Sequence, residues 1–170
     1  AKIVGCWKAL SKQGTEEDLA DDTEPMRRAV AFCQVIEYQA GAKKHKVSSK
    51  KIAGIFADVI ETYQETNDDD DSVSCRLACE VKHVDGSMTA SEKDQRLVWL
   101  KADSPAETCR ILSNVRCLSE GVDVPALDAV LFLTPRNSPI DVVQSVGRVM
   151  RKSTGKKRGY ADDFTLDLSA

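Results

Sequence analysis

The chain has 170 residues, an apolar fraction of 42% and a formal net charge of −3. This size predicts one ordinary domain built around a single core. The slight negative charge excludes a basic field over the whole surface, so any nucleic-acid binding has to come from a local patch. No apolar run reaches the roughly 20 residues of a membrane-spanning helix, so we expect no membrane partner.

The six cysteines form no metal-binding pattern. Their spacings include no CxxC pair, and the two histidines, His45 and His83, complete no zinc motif. Several cysteines lie in apolar, strand-like runs, where a free thiol behaves as a small hydrophobic group. We therefore expect no metal site, reduced cysteines and a cytoplasmic protein.

The first 24 residues combine a short apolar helical face, which includes Trp7, with a polar and acidic stretch. This pattern predicts that residues 1–24 are a linker or the tail of a preceding domain. The main domain is expected over residues 25–160. Residues 161–170 alternate apolar and polar side chains, which predicts an edge strand or the start of a following segment.

Within the main domain, apolar strand-like runs alternate with helical patterns. This alternation predicts a three-layer α/β domain, in which a mostly parallel sheet with right-handed crossovers lies between helices. The predicted strands are residues 28–33, 73–84, 109–112 and 129–134. The predicted helices run from Ser48 or Ser49 to about Thr66, from a capping box at Thr89 to about Lys101, and from Ser138 onwards.

Polar residues follow several of the predicted strands. They include Gln34, Gly86, Ser113 and Asn114. Ligands of parallel sheets bind at the carboxyl ends of the strands, so these residues are candidates for a binding edge.

The last predicted helix carries a regular set of polar residues. Gln144, Arg148 and Arg151 are spaced i, i+4 and i+7 and share one face. Two guanidinium groups on a capped helix suit the stabilisation of charge on a transferring phosphoryl group. A pair of surface arginines in ordinary salt bridges is the alternative. The adjoining face is expected to bury its residues against the sheet, namely Ile140, Val143, Gly147 and Met150.

The loop between residues 119 and 125 offers a further candidate site. Gly121 permits a sharp turn, and Asp123 can accept hydrogen bonds from hydroxyl groups, although a structural turn explains both equally well. No GxxxxGK[ST] sequence is present anywhere in the chain. The chain therefore cannot hold the β and γ phosphates of a nucleotide in the manner of a P-loop.

Together these segments resemble the second RecA-like domain of superfamily 2 helicases and translocases. Residues 113–126 resemble motif V of that family, and residues 144–151 resemble its motif VI, Q-x-x-G-R-x-x-R. Residues 32–34 resemble the strand end of motif IV, and residues 83–86 resemble the strand–turn–helix that follows it. The amino-acid sequence of the motif V segment is most similar to that of the restriction-enzyme-like and phage-like bacterial branch.

The resemblance implies an ATP-dependent helicase or translocase that acts on nucleic acid, with DNA as the expected partner, although the sequence itself does not distinguish DNA from RNA. It implies that ATP with Mg²⁺ is bound mainly by a partner, an N-terminal RecA-like domain with a P-loop, and that this chain alone is inactive. The implied roles are catalysis for Arg148, Arg151 and Gln144, nucleotide contacts for Gly121, Asp123 and Gly147, and nucleic-acid backbone contacts for Ser113, Asn114, Gln34 and Gly86.

Two other functions fit the same sequence. A non-catalytic nucleic-acid-binding module would keep the fold without using the arginines. A flavodoxin-like domain that binds a small molecule would keep the parallel sheet, but it gives no reason for two arginines on one helical face.

Overall fold

The fold was analysed in a computed structural model of the chain. The structure describes residues 2–12, 24–37, 47–67, 76–116, 118, 127–134, 140, 142–144, 147 and the backbone of 160–163.

A five-stranded sheet forms the centre of the domain, and all of its strand pairs are parallel. The strand order is β2-β3-β1-β4-β5, so the sheet is doubly wound around β1. This arrangement confirms the predicted α/β class with a parallel sheet. The strands are β1 (Arg28–Phe32), β2 (Ala78–His83), β3 (Thr108–Asn114), β4 (Ala129–Phe132) and β5 (Tyr160–Asp163).

Three helices are described in full, and two of them begin where the sequence predicts. The hydroxyl of Ser48 accepts a hydrogen bond from the backbone N–H of Lys51, which caps one helix. Thr89 and Glu92 form the predicted capping box of the next. The helices are α1 (Lys2–Leu10), α2 (Ser49–Thr66) and α3 (Ala90–Lys101).

Side chains alternate between the two faces of the sheet, and each face has its own apolar cluster. On the first face, Ala29, Ala31 and Ile111 pack with α1 and α2. On the second face, Val30 and Leu112 pack with α3 and with Val142 of the last helical segment. The sheet is therefore covered by helices on both sides, as the predicted three layers require.

Helix α1 differs from the expectation for the N-terminal stretch. Trp7 is fully buried, and its indole N–H donates to the carbonyl oxygen of Leu77 at 2.9 Å. Its ring meets Tyr63 of α2 edge-on, with 5.6 Å between centroids. Residues 2–12 thus pack into the core of this domain. The proposed boundary at Pro25 stays a prediction.

Two arginines hold the end of α3 against the sheet. Arg28 and Arg110 are register partners on β1 and β3. Nε of Arg28 donates to the carbonyl oxygen of Leu100 at 3.0 Å, and a guanidinium N–H of Arg110 donates to that of Trp99 at 2.9 Å. These bonds satisfy carbonyl groups that the helix leaves without partners, and the positive charges favour a helix C-terminus.

Candidate nucleotide and nucleic-acid interface

The last helical segment turns a different face to the sheet from the one predicted. Its described residues at 140, 142–144 and 147 are helical. Ile140 and Val143, expected in the core, are 67% and 69% exposed, and Gly147 is also exposed. Val142 instead packs against the apolar cluster of the second sheet face.

The sequence of this helix explains the difference. A second apolar row, Val142, Val146 and Val149, has the same i, i+4, i+7 spacing as an amphipathic face. With two rows available, hydrophobic periodicity alone does not select the buried one. Packing Val142 inward turns Ile140 and Val143 outward, together with the exposed Gln144. The result is an exposed face of mixed apolar and polar character, formed by Ile140, Val143, Gln144 and Gly147, which we call the 140–147 face.

Gly147 adds an open backbone position to this face. A Cβ atom at Gly147 would meet no other atom within 4 Å. The glycine is therefore not required by packing inside the described part of the domain. The predicted site residues Arg148, Arg151, Gly121 and Asp123, and the predicted core residue Met150, lie outside the described residues.

The four candidates for nucleic-acid binding come together at one edge of the sheet. Ser113 and Asn114 end β3, Gln34 follows β1, and Gly86 follows β2. The register pairs His83 with Ser113 and Phe32 with Asn114, which places the three strand ends side by side. The parallel topology thus confirms the predicted meeting of these segments, here called the carboxyl edge.

The side chains of Ser113 and Asn114 are fully buried. The amide of Asn114 donates to the carbonyl oxygen of Ala31 at 3.2 Å and accepts from the N–H of Leu118 at 3.4 Å. The hydroxyl of Ser113 donates to the carbonyl oxygen of Ser49 at 3.0 Å. Both side chains therefore join neighbouring elements within the domain.

Gln34 and Gly86, by contrast, are exposed at the carboxyl edge. A Cβ atom on Gly86 would meet nothing within 4 Å, so the backbone there is open to a ligand. The amine of Lys93 lies 3.3 Å from the carbonyl oxygen of Gly86. Lys50, at the start of α2, adds a second cation and pairs with Glu37 at 2.8 Å.

A polar network that the sequence analysis missed lies directly beneath this edge. His83 links Ser49 and Asp85: Nδ1 lies 2.7 Å from the Ser49 hydroxyl, and Nε2 lies 2.7 Å from a carboxylate oxygen of Asp85. The hydroxyl of Ser49 also lies 3.0 Å from that of Ser113. The available signal was the sequence His83-Val84-Asp85, because alternate residues of an extended chain point to the same side.

Asp85 is held in its ionised form. Hydrogen bonds from Ser87 and from His83 lower the pKa of Asp85 well below its usual range, although burial acts in the opposite direction. The carboxylate accepts from both the N–H and the hydroxyl of Ser87. It therefore fixes the turn at residues 86–87 and carries a negative charge at neutral pH.

The described residues contain neither a membrane-spanning helix nor a cluster of metal-binding side chains. None of the described helices is long and apolar enough to cross a membrane. Within the same part of the chain, no three His, Cys, Asp or Glu side chains lie close enough to hold a metal ion.

Comparisons with solved structures identify similar folds. A DNA-bound ATP-dependent Type ISP restriction-modification enzyme, LlaBIII, is 38% identical with a TM-score of 0.73. The match covers 95% of this chain and 9% of that one. Domain 2 of the DEAD-box helicase Mss116p, bound to an RNA duplex, is 14% identical with a TM-score of 0.53, over 95% of this chain and 49% of that one. At that identity the likeness shows the fold alone.

Curated viral proteins match shorter stretches. The probable helicase A859L of African swine fever virus is 50% identical over 46 residues, which are 27% of this chain and 5% of that protein. The putative helicase 22 of a Sulfolobus islandicus filamentous virus is 40% identical over 57 residues, 34% of this chain and 10% of that protein. The matched stretches thus span a tenth or less of these relatives.

The family comparison covers most of the chain. The model of the helicase conserved C-terminal domain matches residues 16–153. This range contains the carboxyl edge and the 140–147 face. The parallel RecA-like sheet and the likeness to Mss116p domain 2 agree with that assignment. The chain belongs to the family of helicase conserved C-terminal domains.

Proposed function

We propose that the chain is the second motor domain of an ATP-dependent helicase or DNA translocase, and that its 140–147 face forms one wall of the ATP-binding cleft. The observation that carries this proposal is the outward position of Ile140 and Val143 beside Gln144. Large apolar side chains exposed beside polar groups are typical of a surface that another domain covers. The covering domain in this proposal is an N-terminal RecA-like domain with a P-loop.

The residues present fit a contributing role toward ATP and Mg²⁺. Gln144 and Gly147 lie on the exposed face, where an amide and an open backbone position are accessible to a phosphate. The sequence spacing of i+4 and i+7 from Gln144 would place Arg148 and Arg151 on the same side of a continuing helix. Guanidinium groups bind phosphate oxygens in a bidentate fork and would stabilise the charge of phosphoryl transfer. The partner's P-loop would hold the phosphates and the metal ion.

The loop at residues 119–125 would complete the nucleotide site. In this proposal Gly121 forms the turn, and Asp123 accepts hydrogen bonds from the ribose. Because the chain lacks a P-loop, it would be inactive alone. A cytoplasmic location is part of the same proposal, since a motor of this kind needs cellular ATP and nucleic acid.

The carboxyl edge would bind the backbone of the nucleic acid. Gln34 and Gly86 are exposed there and would make direct contacts, while the buried Ser113 and Asn114 would hold the edge in shape. Lys50 and Lys93 supply local positive charge. Contacts with phosphates give affinity without sequence specificity. DNA is favoured over RNA because the 38% identical LlaBIII structure is bound to DNA.

The covered face can be tested by chemical protection of Val143→Cys. The variant is made in a protein that joins this chain to a P-loop domain, and alkylation of the new thiol is followed by mass spectrometry. We expect alkylation to slow several-fold when a non-hydrolysable ATP analogue and DNA are added, because closing the cleft excludes the reagent. The described native cysteines Cys6, Cys33, Cys79 and Cys109 are buried, which lowers the background.

Val98→Cys serves as the matched control. Val98 is 59% exposed on a different helix, α3, and is not part of the 140–147 face, so its alkylation rate should stay constant. Equal rates for Val143→Cys with and without the two ligands would contradict a cleft at this face.

A further inference from the structure

In the network under the carboxyl edge, the possible hydrogen-bond acceptors outnumber the hydroxyl hydrogens. Ser49 has one hydroxyl hydrogen and two acceptors within reach: Nδ1 of His83 at 2.7 Å and the hydroxyl oxygen of Ser113 at 3.0 Å. The hydrogen of Ser113 is directed to a main-chain carbonyl, that of Ser49 at 3.0 Å or that of Lys82 at 3.4 Å. The hydroxyl of Ser113 can therefore accept from the hydroxyl of Ser49 but does not donate to that hydroxyl.

The protonation state of His83 decides which acceptor Ser49 uses. The ionised carboxylate of Asp85 accepts from Nε2–H of His83, so a neutral ring has its lone pair on Nδ1. That lone pair takes the hydrogen of Ser49, and Ser113 receives none. In a protonated ring, Nδ1–H donates to Ser49, whose own hydrogen then turns to Ser113.

We propose that His83 is a positioning residue for the carboxyl edge, and that its protonation redirects the hydroxyl of Ser49 from His83 to Ser113. The change adds a bond between the first turn of α2 and the end of β3, while the contact with Asp85 becomes an ion pair. With the added bond, hydrogen bonds connect the start of α2, the end of β2 and the end of β3. The inference rests on the proposed function, in which this edge binds the phosphate backbone.

The position of the network supports a link between this proton and nucleic-acid binding. The side chains of His83 and Asp85 are only 10% and 5% exposed, so the pair is shielded from bulk water. Asp85 also fixes the turn that presents Gly86 to solvent. A phosphate at the edge favours a positive charge on the ring beneath it. Binding should therefore take up a proton, and affinity should rise as the pH falls.

Charged groups from the neighbouring elements surround this network. On the α2 side, the hydrogen bond with Glu37 raises the pKa of Lys50. On the α3 side, the backbone hydrogen bond from Thr89 lowers the pKa of Glu92. The ammonium group of Lys93 lies against Gly86, and Lys82 on β2 points instead toward the ring of Trp99, 4.6 Å away. His83 is the histidine among the described residues, and imidazole is the side-chain group whose ordinary pKa lies between about pH 5 and 8.

The first test follows the hydrogen bond itself, without nucleic acid. The 170-residue chain with ¹⁵N-labelled histidine is titrated by NMR from about pH 5 to 8. We expect the neutral ring of His83 to carry its proton on Nε2, and the Ser113 amide to shift with the same midpoint as the ring. In Ser49→Ala the ring should still titrate while the Ser113 amide no longer responds. A Ser113 amide that ignores the titration in the wild type would overturn the switch.

The second test measures the Kd for a fluorescent DNA at fixed ionic strength over the same pH range. Linkage to one proton changes affinity by up to about tenfold per pH unit, and we expect at least about a threefold tightening toward acid pH. His83→Gln keeps a donor and an acceptor but cannot be protonated, so it should bind with no such slope. His45→Gln alters the other histidine of the chain and should keep the wild-type slope.

The outcomes separate this inference from the proposed function. A wild-type Kd that does not change with pH, or a slope lost in His45→Gln and kept in His83→Gln, overturns the role of His83 and leaves nucleic-acid binding intact. Absence of DNA binding at every pH overturns the nucleic-acid part of the proposed function, and with it the role of His83. Equal melting temperatures of the variants exclude unfolding as the cause of a lost slope.

Discussion

Replacing Arg148 or Arg151 with alanine is expected to lower DNA-stimulated ATP hydrolysis at least about 10²-fold, in a protein that joins this chain to a P-loop domain. An arginine that stabilises charge on a transferring phosphoryl group contributes about 10³–10⁵ to turnover. In the proposed function, the i+4 and i+7 spacing from Gln144 would extend the exposed 140–147 face to these two residues. The loss should therefore appear in kcat, with the affinity for DNA unchanged.

Two further variants sharpen this test. Arg148→Lys keeps the charge but loses the planar fork, so it should recover only a small part of the rate. Arg27→Ala removes an exposed arginine at the amino end of β1, on the side of the sheet opposite the carboxyl edge. The turnover of this variant should match that of the wild type. Wild-type turnover in both Arg148→Ala and Arg151→Ala would assign the arginines to surface salt bridges.

The second large effect is expected from Trp7→Ala in the 170-residue chain. Truncating a buried tryptophan costs about 3–5 kcal/mol of the free energy of unfolding. Here the side chain is fully buried, donates to Leu77 and packs edge-on against Tyr63. The loss is a large share of the about 5–15 kcal/mol by which a domain is stable. Urea unfolding followed by circular dichroism measures it.

Trp7→Phe is the matched variant for this experiment. It keeps most of the ring volume and removes the indole N–H, while the carbonyl oxygen of Leu77 still accepts from Gln64 at 3.2 Å. We therefore expect a loss of about 1–2 kcal/mol, the range of one hydrogen bond and a small packing defect. A change below about 1 kcal/mol in Trp7→Ala, typical of a surface position, would mean that α1 contributes little to the core.

Much of the fold follows from local patterns in the sequence. Ser48 and the Thr89 capping box each provide a hydroxyl that satisfies backbone N–H groups at a helix start, and both helices begin there. The strands around residues 30, 111 and 130 are short apolar runs between such helices. Right-handed crossovers then make the sheet parallel, which places the ends of β1, β2 and β3 at one edge.

In two places a local pattern allowed two packings. Trp7 lies on an amphipathic helix followed by an acidic stretch, and nothing in that pattern tells whether the helix covers this sheet or another domain. The last helix has two apolar rows, and only packing against the apolar cluster of the second sheet face favours Val142 over Val143. Tertiary packing decided both cases.

For the candidate site, the sequence predicted which residues meet but not how their side chains are placed. The resemblance to helicase motifs selected Gln34, Gly86, Ser113 and Asn114, and the structure brings them to one edge. It did not predict that the Ser113 and Asn114 side chains are buried, nor that Ser49 lies beside His83. Residues 34 positions apart in the chain meet only after β2 and α2 have packed, so no spacing rule connects them.

The central claim is tested most directly by DNA-stimulated ATP hydrolysis, measured for this chain alone, for a P-loop domain alone and for the two joined in one protein. Turnover above background is expected only in the joined protein, because in the proposed function the P-loop and the arginines would lie on opposite walls of one cleft. Hydrolysis by the purified chain alone would contradict the account. A joined protein no faster than the P-loop domain would also contradict it and would favour a non-catalytic nucleic-acid-binding module.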